Sequence, residues 1–155
     1  MRVRSFSCLM LLATVACGGR SRPEPAASPS TAQFLTPYGA PTRPFSPAVR
    51  VGNMLYLSDQ IGTADATSGS VVAGGIEAET RQTLENIKDV LQRTGSSMDR
   101  VVKCTVMMAD MREWDRMNVV YASYFPKNKP ARSALGANGL ALGARVEIEC
   151  WATVG

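Results

Sequence analysis

The chain has 155 residues, a length that fits one domain. Its formal charge of +4 sits at the front: Arg2, Arg4, Arg20, Arg22 and Arg43 precede Ser46 against the single acid Glu24, which leaves 12 of the 17 basic and 12 of the 13 acidic residues in a neutral body. That balance excludes a broad electrostatic footprint for nucleic acid, and the absence of histidine and of any Cys-x-x-Cys pair excludes the usual zinc sites.

The first 17 residues read as an export signal. Arg2 and Arg4 precede an apolar run over residues 6–16, too short to span a bilayer, which takes roughly 20 residues. The run ends Leu12-Ala13-Thr14-Val15-Ala16-Cys17, followed by Gly18-Gly19. This resembles a bacterial lipoprotein signal in which Cys17 becomes the lipidated first residue; an ordinary cleaved signal is the alternative. With glycine rather than aspartate after Cys17, the analogy points to the periplasmic side of the outer membrane, and the alternative to a soluble periplasmic or secreted protein. Residues 18–44 are rich in Pro, Ser, Ala and Gly, and such a stretch buries too little apolar area to offset its ordering entropy. It is expected to be a disordered tether, with the folded domain over 45–155.

Within that domain, residues 48–51 and 54–58 around Gly52-Asn53 predict a β-hairpin. A loop over 63–75 carries a short β-like Val71-Val72. Ile76, Thr80, Thr83, Leu84, Ile87 and Leu91 recur at helical spacing and predict a helix over 76–93, with Gly95 placed to end it in a left-handed cap. Residues 101–109 are β-rich. Asp110 and Glu113 form a capping-box-like pattern ahead of a second helix, whose stripe of Trp114, Met117, Tyr121 and Tyr124 reads as core. Cys104 and Cys150 fall in two predicted strands, as two small buried residues or as a disulfide if those strands are neighbours.

Residues 132–135 and 144–154 are the last two strands, joined by a Gly-rich connection that lets them fold back on each other. In the final strand Val146, Ile148, Cys150 and Ala152 share one face, and Glu147, Glu149 and Trp151 the other. The element order gives an α+β fold with both helices on one side of the sheet. The uncovered face implies burial against copies of the same chain. Arg132 and Glu147, taken as residues, admit two readings: a structural ion pair, or a guanidinium that grips an anionic substrate beside a base.

Pro130-Ala131-Arg132-Ser133 followed by Val146-Glu147-Ile148-Glu149 resembles the signature of the RidA/YjgF family, deaminases of reactive enamines and imines. Gly52-Asn53-Met54 with Ser58 and Gln60-Ile61, the run from Thr80 through Ile87, and Asn118 with Tyr121 match further family segments, so the resemblance covers residues 45–154. It implies chorismate-mutase-like subunits, a mixed sheet with two helices on one face, and a homotrimer with sites in the clefts between subunits. It also implies hydrolysis of 2-imino acids, tautomers of 2-aminoacrylate, to 2-keto acids and ammonium, with neither metal nor cofactor. Carried over by position, Arg132 binds the substrate carboxylate, Glu147 activates water, and Ser58 and Asn118 line or support the cleft. Three positions depart from the pattern: Phe45 stands where many members have tyrosine, Ala134 where some have cysteine, and Asp59 where glycine is usual. Asp59 turned inward would pair with Arg132 and compete with an anionic substrate; turned outward it is a loop residue. The partners implied are a small 2-imino or 2-keto acid and further copies of the chain, with no nucleic acid, and with the membrane only through a lipid at Cys17. The alternative function is a non-catalytic trimeric module outside the cytoplasm that binds small carboxylates or acts as a chaperone. A ribonuclease activity like that of some relatives is opposed by the neutral body and the missing histidine.

Overall fold

The computed structural model describes residues 31–155, with 41, 66 and 67 excepted. The expected signal over 1–17, including Cys17, and the first part of the expected tether lie outside the described residues. The later part of that tether is ordered, contrary to the composition argument. Gln33–Leu35 form an edge strand, β1, antiparallel to β2 (Ala48–Val51), with Phe34 opposite Val49. Tyr38 Oη then donates to Asp89 Oδ2 at 2.8 Å, and the Arg93 guanidinium lies over the Tyr38 ring. Three residues are too few to show a period-two pattern, and the strand is held by its partner rather than by its own apolar content.

The hairpin is present as predicted, β2 pairing with β3 (Met54–Leu57) around Gly52-Asn53. A two-residue strand β4 (Gln60–Ile61) follows. Helix α1 spans Gly75–Arg93 and ends as the sequence predicts: Gly95 takes a φ of 83°, with its N–H on Gln92 O and the Ser96 N–H on Leu91 O. That bonding pattern satisfies carbonyls the helix end would otherwise leave unpaired. Strand β5 (Val101–Met108) leads to a 3₁₀ turn (Met111–Glu113) and helix α2 (Trp114–Tyr124). Only half of the expected capping box forms. Asp110 accepts the Arg112 N–H at 2.9 Å, but Glu113 turns away to take two bonds from Arg145 Nη1.

Strands β6 (Ala131–Gly136) and β7 (Val146–Thr153) do not fold back on each other. The sheet order is β1-β2-β3-β7-β5-β6, with β4 also paired to β7, so β5 lies between the last two strands. β6 runs parallel to β5 and every other pairing is antiparallel. Both helices cover one face. There Leu55, Leu84, Ile87, Leu91, Met117 and Ile148 are completely buried, each worth about 1.5–3 kcal/mol relative to exposure. The fold is therefore the α+β mixed sheet expected.

Two covalent or close-packed features fix the sheet beneath the helices. Cys104 and Cys150 are register partners on β5 and β7, both fully buried, and are joined as a disulfide with Cα atoms 4.2 Å apart. Gly62, just past β4, lies against α1: a Cβ there would sit 2.9 Å from both the Cα and the carbonyl oxygen of Glu79. Glu79 is itself buried and accepts the backbone N–H of Arg145 at 2.7 Å, fastening α1 to the entry of β7. Gly62→Ala is expected to push β4 off α1 and destabilise the domain by about 1–3 kcal/mol, the usual cost of overpacking. An unchanged thermal midpoint would show that the helix can yield there.

The other face is open. Phe34, 72% exposed, Tyr56, Trp151 and Leu135 line it, and Tyr56 and Trp151 meet edge to face at 5.2 Å. Glu149 on this face accepts from Thr105 Oγ1 at 2.9 Å. Among the described residues no helix is long and apolar enough to cross a membrane.

Candidate active site

Trp114, Asn118, Tyr121 and Phe125 recur at helical spacing along α2 and its C-terminal end, on the side facing strand β6. Arg132 is the second residue of that edge strand and is in register with Cys104 of β5, whose side chain is buried on the helix face. Register partners share a face, so Arg132 is directed toward α2. Its Nη1 donates to Asn118 Oδ1 at 2.7 Å. Its guanidinium carbon lies 4.8 Å from the Trp114 ring centroid and 4.7 Å from that of Tyr121. Each such contact is worth about 0.5–2 kcal/mol, the larger value when water is excluded. Three residues of one helix thus hold the guanidinium in one orientation.

Beside it opens a cavity of about 320 Å³ lined by Asn118, Tyr121, Ala122, Phe125, Lys129, Pro130 and Arg132. The lining has two cations and no carboxylate. Asn118 engages one nitrogen of Arg132, and a guanidinium carries five N–H donors, so a fork remains for a planar anion. Burial pushes the Tyr121 phenol up to about 12, against the lowering effect of Arg132, so it stays neutral near pH 7 and supplies no base. Its hydroxyl is buried and makes no hydrogen bond within the described residues. Ala134, two residues beyond Arg132 on the same face, packs against the core.

The remaining predicted residues lie elsewhere in the chain. Ser58 Oγ donates to the Ser46 carbonyl at 2.8 Å and its N–H bonds Pro47 O, so the hydroxyl ties the end of β3 to the segment entering β2. Asp59 is exposed, and Gln60 Nε2 reaches back to its carbonyl at 2.9 Å. Phe45 is half-exposed with Arg43 over its ring. Between β3 and β6 lie β7 and β5, three strand spacings or about 14 Å. Asp59 therefore makes no pair with the Arg132 of its own chain. Glu147 is half-buried on β7, opposite Ile61 and Met107, on the open face of the sheet. Arg132 and Glu147 point to opposite faces, so the ion pair entertained from the sequence does not form within one chain.

The sequence matches the family described as Endoribonuclease L-PSP over residues 37–154. The chain belongs to that family. It is 41% identical over 112 residues to the human 2-iminobutanoate/2-iminopropanoate deaminase, covering 72% of this chain and 81% of that protein. It is 43% identical over 109 residues to a RutC family protein of Pyrococcus horikoshii, covering 70% of this chain and 86% of that one. Among solved structures, the Rid-family protein YyfA of Yersinia pestis superposes with a TM-score of 0.72 at 35% identity, over 80% of this chain and all of the other. This is the family the Arg132 and Glu147 motifs resemble.

In this member of the Endoribonuclease L-PSP family, sequence reasoning missed the contacts of Trp114 and Tyr121 with Arg132 and the place of Lys129 in the cavity lining. The core reading of the aromatic stripe holds, with Met117 and Tyr121 buried and Trp114 and Tyr124 packed against the core, but the Trp114 and Tyr121 rings also carry Arg132. The available signal was Asn118, a polar residue set at i+4 and i−3 within that stripe. Lys129 carries no pattern of its own and is placed only by the turn through Pro130.

Proposed function

We propose that the protein hydrolyses 2-imino acids to 2-keto acids and ammonia at sites shared between two copies of the chain. One copy supplies Arg132, Asn118, Trp114 and Tyr121; the other supplies Glu147 with the neighbouring Ser58–Asp59 segment. The observation that carries this reading is the Arg132 guanidinium, held by Asn118 and two rings over a cavity without acids. Relatives named as 2-iminobutanoate/2-iminopropanoate deaminases support the chemistry at family level. The opposite facing of Arg132 and Glu147 supports assembly, since a second copy is what can present a Glu147 to an Arg132. The open face bearing Phe34, Tyr56, Trp151 and Leu135 is the surface such copies would cover, as a homotrimer in this reading.

In the reaction, the substrate carboxylate accepts from the Arg132 fork, which fixes the imine carbon in place. Glu147 accepts a proton from water as the water oxygen adds to that carbon. The C=N π electrons move to nitrogen, which takes up a proton. The carbinolamine nitrogen is protonated again, by the Glu147 carboxyl that took the proton from water or by solvent. The hydroxyl proton is lost as the C–N bond breaks, its electron pair leaving with nitrogen, to give the C=O group and ammonia. Lacking histidine, the chain has no imidazole to activate Ser58, and the Ser58 hydroxyl is already bonded to backbone. The equal 12 and 12 charges of the body give no phosphate track for a ribonuclease.

An amino-acid oxidase generating the imino acid in place, with semicarbazide trapping what is not hydrolysed, tests the proposal; added protein is expected to lower the trapped product. Glu147→Gln keeps the shape and removes the base, and is expected to lower kcat by about 10²-fold, the lower end of general-base effects because an imine is already electrophilic. A kcat within a factor of two of the parent would remove Glu147 from the mechanism. No effect of the protein on any imino acid would leave the carboxylate-binding module as the better reading.

The expected export also stands as a proposal. The buried Cys104–Cys150 bond supports it, because disulfides persist in oxidising compartments and are rare in the cytosol. The lipid at Cys17 is testable by mass spectrometry of the membrane fraction.

A further inference from the structure

The cavity beside Arg132 holds a second cation. Lys129 lines it with Arg132, three residues away across Pro130, and the two differ in depth: Lys129 is exposed and Arg132 half-buried. The cavity is thus bordered by two cationic residues, Lys129 the more exposed of the two. Five basic side chains on or beside the helices are matched by acids, Lys88 by Glu85, Arg93 by Asp89, Arg112 by Asp110, Arg116 by Glu77 and Arg145 by Glu113, and none of these five lines the cavity. Lys129 pairs with no carboxylate among the described residues, and no acid of its own chain lines the cavity. The remaining lining, Tyr121, Ala122, Phe125 and Pro130, brings no further cation.

A ligand whose one carboxylate occupies the Arg132 fork extends its other end past Phe125 and Pro130 toward Lys129. A monocarboxylic acid leaves the ammonium unused. A dicarboxylic acid satisfies both cations at once. We infer that the preferred substrates are dicarboxylic 2-imino acids of four or five carbons, Arg132 holding the carboxylate next to the imine and Lys129 the distal one. This rests on the deaminase reading above for its chemistry, which is the same hydrolysis, but its binding half does not.

Two measurements separate the inference from that reading. In the first, imino acids are generated in place from D-aspartate or D-glutamate and from D-alanine by the matching oxidases, and kcat/KM is compared. The parent is expected to favour the dicarboxylic imino acid, and Lys129→Met to lower the dicarboxylic-to-monocarboxylic ratio by about fivefold, the upper range for an exposed ion pair. Added salt is expected to lower the ratio in the parent and not in the variant. A parent that favours the monocarboxylic substrate, or a ratio unmoved by Lys129→Met, overturns the inference. In the second, calorimetry with 2-oxoglutarate and 2-oxobutanoate needs no turnover. Tighter binding of 2-oxoglutarate that is lost in Lys129→Met supports the diacid site even if no imino acid is hydrolysed, and in that case only the deaminase reading fails. Equal binding of the two keto acids overturns the diacid site.

Discussion

Arg132→Ala is expected to lower kcat/KM for 2-imino acids by about 300-fold. The estimate follows from what the guanidinium does and where it sits. Truncating one partner of a hydrogen-bonded charge pair costs about 2–5 kcal/mol, and a half-buried position argues for the middle of that range. At about 1.4 kcal/mol per decade this is about two and a half decades. Most of the loss is expected in KM, because the carboxylate is held before and during the reaction, with a smaller fall in kcat as the imine carbon loses its fixed position. Arg132→Lys separates charge from shape. Lysine restores a cation but neither the planar fork nor the contacts with Trp114 and Tyr121, so a deficit of about tenfold or more is expected to remain. Circular dichroism and thermal unfolding serve as controls, since the variants also strip a bond from Asn118. A folded Arg132→Ala within threefold of the parent would move the site away from this cavity.

The local parts of this site were legible in the sequence, and its assembly was not. Helix α1, its glycine-terminated end and the β2–β3 hairpin follow from spacing and turn residues alone. The alternation in β7 correctly assigns Cys150 to the core and Glu147 to the open face. What failed was inference about which strands meet. A Gly-rich connection between β6 and β7 looked like a hairpin, yet β5 lies between them, because β6 pairs parallel to β5 after the α2 crossover. Strand adjacency is a non-local property, and composition does not encode it. The same limit hid the disulfide, since the adjacency of β5 and β7 could not be read from 46 residues of separation. β1 was missed for a related reason: three residues of a Pro- and Ser-rich segment become a strand only by finding an edge. Once adjacency is known, the consequence for chemistry is direct. Arg132 and Glu147 occupy opposite faces, and the proposed hydrolysis, which uses both, therefore requires two copies of the chain.

Removing the Cys104–Cys150 bond as Cys104→Ala/Cys150→Ala is expected to destabilise the domain by about 4 kcal/mol. Cross-linking positions 46 residues apart restricts the unfolded chain by about that amount in the loop-entropy account. At roughly 4–8 °C per kcal/mol for a domain near 100 residues, the thermal midpoint should fall by at least about 15 °C. Both cysteines are fully buried, so in the parent a reductant can reach the bond only through opening of the sheet. Reduction under native conditions should therefore be slow, and should accelerate in Gly62→Ala, which weakens the packing of β4 against α1 without touching either sulfur. Thiol titration in denaturant without reductant measures the same point independently: the protein should release only thiols other than these two. Unchanged unfolding in the double alanine variant, or two free thiols at these positions, would show that the sheet does not depend on the bond. A large loss would mean that β5, and with it the strand that carries Arg132, is secured only where disulfides form. The body of the protein would then require the same kind of compartment to which its first 17 residues are proposed to send it.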